Sequence, residues 1–223
     1  HVMDNAGEQS LWLRHIPTGS DQEIVPSNND GFLGLTFSPD GNRIYFSRSG
    51  SLFEVPVLGG SAKKLLMNID TAVTFSPDGR RMAFMRGVPS QRERLLIIAN
   101  ADGTQEQVLA RHKLEDAFLI APAWSPNGET IVFPVRSSSP DAPYGNLTEV
   151  RLKDGVEKQI TSQQWPAMGS SCWLRDGTGL VVIAAEQESN SQLWFVSYPS
   201  GKVRRVTNDL NDYLNVSLTA DSS

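Results

Sequence analysis

The chain has 223 residues, 39% of them hydrophobic and 20% charged, a formal net charge of −5 and one cysteine, Cys172. Such a composition is ordinary for a folded globular protein. It gives no clustered basic footprint for a nucleic-acid backbone, no internal disulfide and no thiolate metal cluster. No run approaches the roughly 18 apolar residues of a membrane span. The opening HVMDNAGEQS has no charged region followed by an apolar stretch, so the chain as it stands reads as soluble and without membrane contact of its own.

Read in chain order, the elements are short strands that repeat. Residues 1–25 open on the tail of a second strand (Val2, Met3) and continue through Leu11, Gly19 and Ile24. Residues 32–66 carry FSPDG from Phe37, then Ile44, Phe46, Leu52, Gly60 and Leu65. The pattern returns over 71–110 (FSPDG from Phe75), 119–161 (WSPNG from Trp124), 168–207 (WLRDG from Trp173) and 213–223 (LTADS from Leu218). The anchors lie 38, 49, 49 and 45 residues apart, the spacing of a propeller or solenoid.

Fixed offsets show that this is true periodicity. Seven and nine residues after the first four anchors stand eight apolar residues: Ile44 and Phe46, Met82 and Phe84, Ile131 and Phe133, Leu180 and Val182. A leucine stands eight residues before each marker glycine, at Leu11, Leu52, Leu95, Leu147 and Leu193. Each repeat reads as four strands with tight turns between strands one and two and between three and four. The predicted fold is all-β: a β-propeller of four-stranded antiparallel blades with five repeat-equivalents, in one domain over 1–223. Two arrangements stay open, a blade stitched from both chain ends or an excerpt of a larger propeller.

Alternation along the first strand predicts how blades meet. One face is mostly bulky: Leu35 and Phe37, Val73 and Phe75, Pro122 and Trp124, Ser171 and Trp173, Val216 and Leu218. The other is small: Gly34 and Thr36, Ala72 and Thr74, Ala121 and Ala123, Ser170 and Cys172, Asn215 and Ser217. Small residues let innermost strands converge on a central channel, and Cys172 reads as one of these packing residues rather than a nucleophile.

FSPDG followed by an apolar strand, and then LIIANADGTQEQVL (Leu96–Leu109), resembles the TolB-like, WD-related bacterial propeller repeat. The resemblance covers nearly all of the chain and implies the fold. Similar repeats occur in a periplasmic envelope protein that binds a lipoprotein, in prolyl-peptidase propellers and in oligogalacturonate lyases. SLWLRHIPTGSDQEIVP and VRRVTNDLNDYLNVSLTADSS more closely resemble propeller regions appended to bacterial serine/threonine kinases or winged-helix regulators, which implies a sensor or docking part. An extracytoplasmic or periplasmic place is implied by the same resemblance alone.

No catalytic residue is carried over, because the chain has no phosphate-binding glycine loop, kinase catalytic segment or G-x-S-x-G elbow. With His1, His15 and His112 as its only histidines, no metal site is expected, and no cofactor. The Asp209/Asp212 pair reads as a solvated loop.

In an antiparallel meander the two tight turns of each blade emerge on one face and the longer connections on the other. These are Arg86–Arg94, Ala110–Leu119, Val135–Asn146, Thr161–Met168, Ala185–Gln192 and Thr207–Tyr213. Recognition residues concentrate on such loops. Arginine and aromatic side chains dominate binding hot spots, which singles out Arg92, Arg94, Arg111, His112, Tyr144, Trp165 and Tyr213. The expectation is a non-enzymatic module that binds a protein, peptide or glycan. A polysaccharide- or peptide-processing enzyme and a purely structural propeller are the alternatives.

Overall fold

A computed structural model describes residues 2–4, 6–116, 120–136, 144–186 and 190–218. His1, the terminal turn at Asp221 and the parts of the expected loops at 117–119, 137–143 and 187–189 lie outside the described residues.

The described residues are all-β, with one short 3-10 turn among them at Pro89–Gln91. A three-stranded sheet comes first: β1 (Val2–Met3), β2 (Gln9–His15) and β3 (Ser20–Asn28). Four four-stranded antiparallel sheets follow, arranged as blades of a β-propeller. Blade one holds β4 (Phe32–Phe37), β5 (Arg43–Arg48), β6 (Ser51–Pro56) and β7 (Lys63–Met67). Blade two holds β8 (Thr74–Phe75), β9 (Arg81–Val88), β10 (Glu93–Asn100) and β11 (Gln107–Lys113). Blade three holds β12 (Ala123–Trp124), β13 (Thr130–Arg136), β14 (Gly145–Arg151) and β15 (Glu157–Gln159). Blade four holds β16 (Ala167–Trp173), β17 (Gly179–Ala185), β18 (Gln192–Ser197) and β19 (Val203–Arg205).

The repeated turn forms because its residues satisfy one another. In blade two the Ser76 hydroxyl donates to Asp78 Oδ1 (2.6 Å) and accepts the Arg81 N–H (2.9 Å), while the Arg80 N–H donates to the same carboxylate (3.1 Å). Ser38/Asp40 and Ser125/Asn127 repeat this pattern. Gly79 closes the turn at φ +69°, a conformation costly for a residue with a Cβ.

Burial follows the periodic positions. The eight apolar residues after the anchors are all buried, from Ile44 to Val182. They sit in inter-blade clusters, such as the one that brings Ile131 and Phe133 of blade three together with Met85, Leu96 and Ala110 of blade two.

At the hub the small face does what its residue sizes predict. A Cβ on Gly34 would overlap the methyl of Ala72 on the neighbouring blade. Side chains then bridge innermost strands: Thr36 Oγ1 donates to the Val73 carbonyl (2.7 Å), and the Trp173 indole N–H donates to the Ala123 carbonyl (3.2 Å). On the bulky face Phe75 packs edge-on against Tyr45 of the preceding blade (4.8 Å), and Trp124 sits beneath Arg81 (5.2 Å).

Two positions depart from the expectation. Leu35 and Phe37 are 40% and 53% exposed, because the sheet before blade one has a two-residue β1 and no innermost strand to cover them. The segment 213–218, read as a fifth first strand, has no strand assignment. It lies beside β16, with the Val216 N–H donating to Ser170 Oγ (3.0 Å). Among the described residues it joins no ladder of the β1–β3 sheet, so no stitched blade is seen there.

Candidate functional site

Strand order in every blade is a simple meander, so the tight turns share one face of the propeller and the connections 86–94 and 110–116 end on the other. On that second face the end of blade two carries a groove. Val88 hands over to the 3-10 turn at Pro89–Gln91, which Arg92 closes in the left-handed region at φ 53°. The chain then enters β10 at Glu93. Here Gln91, Arg92, Glu93, Arg111, His112, Lys113 and Glu115 line an open groove of about 540 Å³.

Three of the predicted residues meet in this groove. Arg92 pairs with Glu115 at 3.5 Å and is well exposed, and Arg111 pairs with Glu93 at 2.9 Å. His112 crosses to blade three, its Nε2 3.0 Å from Glu157 Oε2 but without hydrogen-bond alignment, and its ring edge-on to Phe133 at 5.5 Å. Exposed pairs of this kind contribute little stability. They set a rim of alternating charge.

Arg94 lies behind the rim. It sits in register between Gly87 on β9 and His112 on β11, so the three residues form one row across the blade. Its sequence position suggests a surface loop contact, but it is 7% exposed, and its Nε and Nη1 are enclosed with no hydrogen-bond acceptor. The missing side chain at Gly87 makes the room. Asp70 approaches from the preceding connection, where its Oδ2 accepts the Gly87 N–H at 2.7 Å. Burial pushes the Arg94 pKa down, Asp70 pulls it back up, and a guanidinium of such intrinsic basicity stays charged at neutral pH. Burying such a charge is costly, and Asp70 offsets part of that cost.

The other predicted residues lie apart from this row. Trp165, a contact residue by its loop position in the sequence, is instead wholly buried: its ring packs edge-on against Trp194 at 6.1 Å inside the cluster between blades three and four. Its backbone bridges Gly145 in both directions, which holds the connection inward. Tyr144 is 38% exposed. Tyr213 donates to Asp209 Oδ2 at 2.8 Å and is half-buried; Asp209 thereby acts as a loop clamp.

Cys172 carries a thiol pushed up to about 11 by burial, as suits a packing residue in the hub. Among the described residues no group of three or more His, Cys, Asp and Glu side chains is placed to hold a metal. Sequence reading missed Asp70, Gly87, Glu115 and Glu157. Gly87 was the available signal, since a glycine inside a strand marks a close approach.

No protein-family model matches the chain, and no curated protein does. Solved structures match it well. TolB from Acinetobacter baumannii superposes with a TM-score of 0.73 at 16% identity, over 92% of this chain and 50% of that one. A putative TolB from Agrobacterium tumefaciens gives 0.70 at 18% identity, over 90% and 70%. An oligogalacturonate lyase from Vibrio parahaemolyticus gives 0.61 at 13%, over 88% and 59%. The chain thus spans half the length of the first of these. At such identities the likeness speaks for architecture, and with the repeated Ser-Pro-Asp-Gly turns and the slender hub it leads to one conclusion: the fold of this chain is a TolB-like β-propeller.

Proposed function

We propose that the chain is a non-catalytic binding module that takes a protein, peptide or glycan ligand on its loop face, as a sensor or docking part of a larger bacterial protein. The observation that carries this reading is the groove at the loop end of blade two, where Arg92, Arg111 and His112 come together. Its rim is polar and it lies at the end of a four-stranded sheet, the setting of loops on a scaffold where recognition residues concentrate. The resemblance to TolB structures supports a binding role, and the resemblance to a lyase keeps catalysis as the reading to be tested against it.

The test is an array of peptides and oligosaccharides presented to the chain, followed by amide exchange on each hit. Protection at 86–94 and 110–116 is the expected outcome. Protection confined to the tight turns 38–43, 76–81 and 125–130, or turnover of pectic oligomers or peptides by the purified chain, would overturn the proposal.

A further inference from the structure

The first tight turn of each blade follows one pattern, and blade three departs from it at one residue. Blades one, two and four place an aspartate before the turn glycine, at Asp40, Asp78 and Asp176; blade three places Asn127 before Gly128, the one Asn-Gly pair in the sequence. Asn127 Oδ1 accepts the Ser125 hydroxyl at 2.7 Å and the Glu129 N–H at 3.1 Å, the same two bonds that the Asp78 carboxylate takes from Ser76 and Arg80. Its Nδ2 donates to Glu129 Oε2 at 3.1 Å, and the Gly128 N–H donates to the Ser125 carbonyl at 2.9 Å. Asn127 is exposed to water, and Gly128 stands at φ +75° facing Pro77 in the turn of blade two. All of this lies on the tight-turn face, opposite the groove.

We infer that Asn127 is a self-modification site, where the side-chain amide is exchanged for a carboxylate by reaction with the chain's own backbone and water, and that the closed turn holds this reaction back. The nucleophile is the Gly128 nitrogen, which carries no side chain to shield it. It gives up its proton and attacks Asn127 Cγ. The new C–N bond closes a five-membered imide, the Cγ–Nδ2 bond breaks, and ammonia leaves with the proton. Water then opens the imide: attack at Cγ gives aspartate, and attack at the main-chain carbonyl carbon gives isoaspartate. Amide and water become carboxylate and ammonia, with no change in oxidation state.

The turn restrains both reactants. The Gly128 proton is committed to Ser125, and three hydrogen bonds fix the Asn127 amide between Ser125 and Glu129. Attack therefore waits on local opening of the turn. The aspartate product can close it again, since Asp78 shows a carboxylate taking the same two bonds. Isoaspartate lengthens the main chain between Ser125 and Gly128 by one methylene, and the turn bond is not restored.

The experiment incubates the folded 223-residue chain and the heptapeptide Trp124–Thr130 side by side at mildly alkaline pH. Conversion is followed by mass spectrometry after digestion, with fragmentation to distinguish isoaspartate from aspartate. The peptide should convert at Asn127, and the folded chain at the same residue at least about tenfold more slowly. Ser125→Ala removes the hydroxyl that joins Asn127 to the Thr130 N–H, and should raise the rate in the chain at least about threefold. Because Ser125 is buried and its variant may not fold, urea supplies a second comparison: in urea that unfolds the native chain, the rate should reach that of the peptide in the same urea. Asn127→Asp should fold with the native strand content.

Equal rates in the folded chain and the peptide overturn the restraint by the turn. Conversion in the unfolded chain that favours another asparagine over Asn127 overturns the site. An Asn127→Asp chain that does not fold overturns the return of the aspartate product to the turn.

Discussion

Trp165→Ala discriminates between a contact residue and a packing residue at a position that could be either in sequence. A tryptophan buries about 150–250 Å², and at ~25 cal/mol per Å² its full burial contributes about 4–6 kcal/mol. Compactness of the unfolded chain trims that, so truncation should cost about 3–5 kcal/mol, in line with core tryptophans elsewhere. The whole ring is enclosed against Trp194, Met168 and Leu180, and its Nε1 has no acceptor, so no hydrogen bond is lost with it. Trp165→Phe, which keeps most of the apolar area and deletes that unsatisfied donor, should therefore cost less than about 2 kcal/mol. Urea unfolding is the assay, with the midpoint shifting at constant slope. If Trp165→Ala costs under about 1 kcal/mol, or Trp165→Phe costs as much as the alanine, the packing argument is wrong.

Other positions yield equally direct expectations. Gly201 has φ +67°, and a Cβ there would overlap the Ile160 carbonyl oxygen of the preceding blade, so Gly201→Ala should lower stability by about 2 kcal/mol or more in the same assay. Ser76→Ala removes a buried hydroxyl that both donates and accepts within the turn, and should cost about 1–2 kcal/mol. The half-buried Cys172 thiol, pushed up to about 11, should react with a disulfide reagent at pH 8 more slowly in the folded chain than after unfolding in urea; equal rates would refute its desolvation.

Acid should loosen the tight turns. Asp40 is held at about 2 by the Ser38 hydroxyl and the Asn42 amide, and Asp78, Asp102 and Asp176 are lowered by equivalent bonds. Because the folded values are depressed, the stabilisation is complete above the ordinary aspartate value near ~4 and is lost as pH falls through the folded value. A urea midpoint that falls between pH 5 and pH 2, less steeply in Asp78→Asn, is the expected result. A midpoint unchanged over that range would count against the turn hydrogen bonds.

The propeller was legible because its repeats obey local rules. Ser-Pro-Asp-Gly specifies its turn through bonds only two to five residues long, and the alternation of Gly34, Leu35, Thr36 and Phe37 follows from strand geometry alone. The loop face was legible in outline, since Arg92, Arg111 and His112 line one groove there. Arg94 was not, because its burial depends on Gly87 across the ladder and on Asp70 from another connection. Trp165 was misplaced for a related reason: its inward position comes from a backbone bridge to Gly145, twenty residues earlier, which no periodic pattern encodes. The unpaired segment 213–218 shows the same limit, for a strand-like sequence needs a partner to become a strand.

All of this depends on innermost strands from successive blades meeting at a narrow hub. Nuclear Overhauser contacts between the Gly34 α-protons on β4 and the Ala72 methyl just before β8, thirty-eight residues apart, measure that meeting directly. Strong contacts are expected there, accompanied by contacts between the Thr36 side chain and the backbone of Val73 and Thr74. Their absence in an otherwise folded, strand-rich chain would contradict the radial arrangement and the loop face built on it.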